Sequence, residues 1–163
     1  MADVRDAFFA IITNPLKFKL FLLSRLPAGF FTGLKVVAVS AGSCTVSVPY
    51  KWFNKNPFRS TYFASLAMAA ELSTGVLAMA KVYGRKPAVS MLVTGMEAAY
   101  FKKATERTFF KCTEGQEIEK AVQAAIKTGE GQVVKVISNG INSVGEPIAQ
   151  FTFTWSFKVK KKQ

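Results

Sequence analysis

The sequence predicts an α+β fold, an antiparallel sheet curled around one long buried helix. Three observations lead there. From Ser60 to Ala80 the only charged residue is Glu71, set among Ala, Leu, Met and small polar residues, the composition of a helix buried nearly all round. At the C-terminus Phe151, Phe153, Trp155, Phe157 and Val159 alternate with Thr152, Thr154, Ser156, Lys158 and Lys160, the period of two of a strand with one buried face. Several strand-like runs follow one another through short turns, and consecutive hairpins make antiparallel sheets.

In chain order, the first predicted element is a helix over 15–25, with Asn14 as N-cap and Pro15 at the first helical position, ending before Pro27 and Gly29. Its leucines, Leu16, Leu20 and Leu23, are expected to pack on the domain. "GLKVVAVSAG" and "SCTVSVPY" form a hairpin turning at Ala41 and Gly42. The loop "KWFNKNPF" leads into the apolar helix, about 60–80. Positions 64, 67, 68, 71, 75 and 78 share one of its faces and are mostly small, so that face is expected against the sheet. A long strand over 88–102, a short one over 107–113 and an amphipathic helix over 115–128 come next. The last hairpin turns between Asn142 and Gly145. Residues 1–163 are expected to be one domain, with 1–30 a helical extension and 158–163 a solvated basic tail.

Composition narrows the chemistry. The 22 Lys and Arg against 10 Asp and Glu give a formal charge of +12, so some surface should attract anions. The absence of histidine excludes Ser-His-Asp and Cys-His nucleophile systems and the HExxH zinc site. Cys44 and Cys112 lie far apart in sequence, which argues against a metal site or disulfide framework and for a reducing compartment. Charged residues and prolines interrupt the apolar N-terminal stretch, so no membrane span or export signal is expected, and a cytoplasmic location is the natural reading. Nucleic-acid binding is disfavoured because the aromatic residues alternate as core positions and do not interleave with Lys and Arg.

Glu71 needs an explanation. An unpaired buried carboxylate is costly, so it pairs, becomes neutral or faces a cavity. Pairing with Arg59 or Arg85 is one reading and a position exposed after all is a second; a general base held at raised pKa is the third.

Around Glu71 the chain resembles the hotdog-fold thioesterases of the phenylacetate-pathway type, and more closely an uncharacterised bacterial hotdog branch. Asn56 stands 71 − 56 = 15 positions before Glu71, similar to the family's loop asparagine and helix carboxylate. "Ala69-Ala70-Glu71-Leu72-Ser73-Thr74-Gly75" resembles its Leu-Ala-Asp/Glu-x-x-x-Gly segment. The strand ending Phe101-Lys102-Lys103-Ala104 is similar to one ending in Phe, a basic residue and Pro-Ala. The chain departs from the family where Tyr62-Phe63-Ala64 replaces His-Gly-Gly.

The resemblance implies hydrolysis of an acyl thioester carried by coenzyme A or an acyl carrier, with coenzyme A part of the substrate and no separate cofactor or metal. Glu71 would be general base or, as an alternative, nucleophile. Asn56 would orient water or thioester, and the backbone amide of Phe63 would stabilise the oxyanion. Tyr62 would supply a hydroxyl or simply pack. Ser90 of a partner subunit would position water. The long strand would pair with its counterpart in a homodimer or a dimer of dimers, with the acyl chain beside Met68, Met91 and Phe101. Lys102, Lys103 and Arg107, together with Arg59, Ser60 and Thr61 before the helix, are candidates for the phosphates, Ser60 or Thr61 otherwise being the N-cap. A non-catalytic acyl-binding protein is the competing reading; an anionic-membrane or nucleic-acid binder is a third.

Overall fold

The computed structural model describes residues 4–161. Helices α1 (Val4–Thr13), α2 (Pro15–Arg25) and α3 (Pro27–Thr32) precede strands β1 (Lys35–Val39) and β2 (Cys44–Val48). After a 3-10 turn over Trp52–Asn54 come α4 (Phe63–Val82), β3 (Val89–Tyr100), β4 (Thr108–Cys112), α5 (Gly115–Thr128), β5 (Gln132–Ile141) and β6 (Pro147–Val159). The six strands form one antiparallel sheet in the order β1-β2-β4-β5-β6-β3, wrapped around α4. Helix α4 has the length and apolarity of a membrane span, yet it is the core helix of this sheet.

The local chemistry behind most elements is the expected one. Asn14 caps α2, its side chain accepting from the amides of Leu16 and Lys17. Phe151, Phe153, Trp155 and Phe157 are buried on the inner face of β6. In α5, Ile118, Val122 and Ala125 are buried at i, i+4 and i+7. The last hairpin turns where Asn142 Oδ1 accepts from the amides of Val144 and Glu146, and Gly145 takes φ +85°.

Three expectations are corrected. The N-terminal extension holds three helices, because Pro27 starts a new one at its first turn as well as closing α2. The face of α4 carrying Ala64, Ala67, Met68 and Glu71 is partly exposed. The sheet covers the side of Ser65, Leu66, Ala69, Ala70 and Ser73, although Gly75 and Ala78 are buried as expected. A helix apolar all round carries no contrast from which its orientation can be read. Lys158 belongs to β6 and the Lys160 amide donates to the Ala88 carbonyl, so the basic tail starts later; Lys162 lies outside the described residues. A feature that the sequence does not announce is that Cys44 and Cys112, distant in sequence, face each other across β2 and β4 as free thiols. Burial pushes their pKa values up to about 12 and about 11, which keeps both protonated.

Candidate active site

Glu71 lies in the middle of α4, on the stripe its own sheet leaves uncovered. Helices α1 and α2 roof that stretch, leaving a cavity of about 210 Å³. Its walls are apolar, Phe8 and Ile12 from α1, Phe18 and Phe21 from α2, Val76 from α4 and Met91 from β3, and Glu71 and Arg25 are the charged residues among the described ones that line it. Burial raises the Glu71 pKa to about 6. Among the described residues no hydrogen bond or ion pair reaches its carboxylate. Arg85 pairs instead with Glu119 of α5, and Arg59 is exposed on the loop before α4. Neither takes the role of structural partner to Glu71.

The helix around the carboxylate is tied to the sheet by buried polar contacts. Trp155 Nε1 donates to Thr74 Oγ1 at 3.0 Å, and Thr74 Oγ1 donates to the Glu71 carbonyl at 2.9 Å. Ser73 shares a 2.8 Å hydrogen bond with Ser138 of β5. These contacts fix the rotation of α4, and therefore the direction in which residue 71 projects.

A second, larger cavity of about 840 Å³ opens at the start of α4. Asn56, Ser60, Thr61, Tyr62 and Phe63 line it, facing Phe101, Lys102 and Lys103 past the end of β3. The N-cap of α4 is Tyr62, without a side-chain cap, so Ser60 and Thr61 do not cap the helix. The amide of Phe63 is in the first turn, where backbone N–H groups have no intrahelical acceptor. The Asn56 side chain is engaged within its own loop. Its Oδ1 accepts from the amides of Phe58 and Ser60, and its Nδ2 donates to Ser60 Oγ at 3.1 Å. Arg59, at φ +58°, makes the tight turn there.

The predicted site residues therefore fall into separate groups. Phe63 and Glu71 are eight residues apart on one helix, about 12 Å at 1.5 Å per residue. Asn56, Tyr62, Phe63, Phe101, Lys102 and Lys103 gather around the larger cavity, while Glu71 and Met91 meet in the smaller one. Met68 lies one turn before Glu71 on the partly exposed stripe. Within one chain Ser90 does not face Glu71: side chains alternate along β3, so Met91 points to the cavity and Ser90 away from it, its hydroxyl donating to the Lys158 carbonyl. Lys102 pairs with Glu146 at 2.6 Å, and Arg107 lines a third cavity and donates to Ser47 Oγ.

Sequence reasoning missed Asn54. It is fully buried, its Nδ2 donating to the carbonyls of Thr32 and Pro49 while its backbone carbonyl accepts from the Tyr62 amide at 2.7 Å. One residue thus joins the N-terminal extension to the start of α4. In sequence it is one of two asparagines in a loop, and nothing local separates it from Asn56. The aromatic roof from α1 and α2 was equally invisible, because docking of an extension leaves no periodic mark.

Solved structures share this architecture from end to end. A protein of unknown function from Pseudomonas aeruginosa, described as a probable thioesterase, superposes with a TM-score of 0.75 at 17% identity, covering 92% of this chain and 99% of that one. A thioesterase from Haemophilus influenzae gives 0.65 at 11% identity, covering 92% and 94%. The PaaI protein from the phenylacetic acid degradation operon of Escherichia coli gives 0.65 at 8% identity, covering 98% and 99%. The fold is the hotdog fold of these thioesterases. The chain itself belongs to the family described as a domain of unknown function, DUF4442, which matches residues 17–157. No curated protein sequence matches it.

Proposed function

We propose that the protein hydrolyses acyl thioesters of coenzyme A or an acyl carrier, with Glu71 as general base. The observation that carries this reading is Glu71 itself, a carboxylate of pKa about 6 facing an apolar cavity. Such a group is ionised at neutral pH yet basic enough to take a proton from water. In the proposed reaction Glu71 removes a proton from water as its oxygen adds to the thioester carbonyl. The resulting oxyanion collapses, the C–S bond breaks, and the proton held by Glu71 passes to the departing thiolate.

Within one chain the Phe63 amide stands too far from Glu71 to serve the same carbonyl. A homodimer built through the edge strand β3 resolves this. A two-fold axis sets the two α4 helices antiparallel, and a crossing near Ala67, midway between residues 63 and 71, brings Glu71 of one copy beside the Phe63 amide of the other. The small, partly exposed Ala64 and Ala67 favour such an approach, and β3 offers a long unpaired edge with Leu92 and Met96 exposed. The acyl group would lie between the copies beside Met68 and Met91, and Lys102 and Lys103 would meet phosphates at the mouth of the larger cavity. Asn56 would act by holding the loop that presents the amide.

Release of free thiol from short, medium, long and aromatic acyl-CoAs, compared between wild type and Glu71→Ala, tests this. Turnover that falls by orders of magnitude in the variant is expected. Ligand binding without turnover in wild type would favour the second reading, a non-catalytic acyl-binding protein, which the Phe63 side chain in place of glycine supports. Sedimentation of the wild-type protein tests the dimer.

A further inference from the structure

Helix α2 has two apolar faces, and the core uses only one. Phe18 and Leu22 are buried, while Leu16, Leu20 and Leu23 are 68%, 59% and 45% exposed at i, i+4 and i+7. This reverses the packing expected of these leucines. Lys17 and Lys19 flank the exposed stripe on either side, the pattern of a helix lying in a lipid interface. The end of α3 and the 3-10 turn over Trp52–Asn54, which packs against it, continue the surface. Phe31 and Phe53 are exposed with ring centroids 6.3 Å apart, and Trp52 is 85% exposed.

Beside this apolar rim is a cavity of about 420 Å³ lined by Lys19, Lys35, Lys51 and Arg107, with Phe30 and Phe31 on its wall and, among the described residues, no acidic one. Lys51 Nζ reaches over Gly33, where a Cβ would stand 3.0 Å from it. From residue 7 to residue 96 the sequence has ten Lys and Arg and one acid, Glu71. Opposed copies of this face would repel, which argues against a two-fold contact here. Cations around exposed leucine and aromatic side chains instead complement anionic headgroups above acyl chains. Nucleic acid would leave the leucine stripe bare. Helices α1 and α2 meet at 99°, so the segment suits lying along a bilayer and does not form one continuous span.

We propose that the surface formed by α2, α3 and Trp52 docks on an anionic phospholipid bilayer, with the Lys19, Lys35, Lys51 and Arg107 cavity taking a lipid phosphate. This is independent of thioester hydrolysis. The test is cosedimentation with phosphatidylcholine vesicles, with and without phosphatidylglycerol, read also by the fluorescence of Trp52, since the other tryptophan, Trp155, is buried. Wild type is expected to bind the anionic vesicles selectively, less at high salt, with a blue shift. Two variants at exposed or partly exposed positions, Leu20→Glu with Leu23→Glu and Lys19→Glu with Lys51→Glu, are each expected to weaken binding roughly tenfold or more at unchanged melting temperature. Equal binding to neutral vesicles, no binding, or full binding by both variants would overturn the proposal. So would a duplex oligonucleotide retained where vesicles are not, or a Leu20→Glu, Leu23→Glu variant that changes the oligomeric state but keeps its vesicle binding.

Discussion

The Glu71 carboxylate lies against Gly75, one helical turn further on: a Cβ built on Gly75 would stand 3.0 Å from Glu71 Oε1. The glycine has an ordinary helical backbone, so its absence of a side chain serves space and not conformation. The carboxylate occupies that space, under the aromatic roof.

Gly75→Ala should therefore separate stability from activity. Alanine in place of a helical glycine favours the helix by up to about 1 kcal/mol, and the group it meets is the movable end of a side chain. We expect an unchanged or higher melting temperature, with thiol release reduced and its pH midpoint moved as the carboxylate is displaced. Unaltered kinetics would show that the carboxylate position is immaterial.

Burial raises the folded-state pKa of Glu71 to about 6, from 4.5. The folded protein thus holds this proton more tightly than the unfolded chain, and stability falls as pH rises from the unfolded value through 6. Glu71→Gln should have little effect near pH 4 and raise stability at pH 7.5 by up to about 2 kcal/mol. Thermal melts at the two pH values check this. The wild-type hydrolysis rate should rise through pH 6 and then level, as a base must be ionised to act.

Thr74→Val removes the acceptor of the buried Trp155 Nε1 while keeping shape. A donor left unsatisfied in the core costs about 1–3 kcal/mol. Urea denaturation should show that loss, and acyl turnover should fall as well, since the same contact sets the rotation of α4. A neutral outcome in both would assign the rotation to packing alone.

Gly140 on β5 lies opposite Phe110 of β4, and a Cβ there would come within 2.4 Å of the buried ring. The ring is fully buried and packs edge-on against Phe151. Gly140→Ala is expected to destabilise by about 1–3 kcal/mol through overpacking, measured by urea denaturation, with the chemistry at Glu71 unaffected at temperatures where the variant stays folded.

Much of the fold was legible because local signals agreed. Asn14 and Pro15 start α2, Gly145 and Asn142 turn the last hairpin, and the alternation from Phe151 to Val159 is the inner face of β6. Glu71 stood out because a lone carboxylate in an apolar helix demands an account wherever the helix sits. The rest was decided by contacts between distant segments. Which side of α4 faces the sheet depends on partners such as Ser138 and Trp155, which an all-round apolar helix does not announce. That Ser90 points away from Glu71 follows from the register of β3, since a one-residue shift exchanges the faces of a strand.

By itself, then, the sequence determined the element types, the hairpin order and the residue for which burial is costly, all of which follow from short-range periodicity, capping and charge. Only the tertiary structure decided that α1 and α2 roof Glu71, that Asn54 ties that extension to the head of α4, that Cys44 faces Cys112, and that Leu16, Leu20 and Leu23 remain uncovered. Those outcomes rest on which surfaces compete successfully for one another across the chain. A leucine at helical spacing looks the same in sequence whether the core buries it or leaves it to another phase.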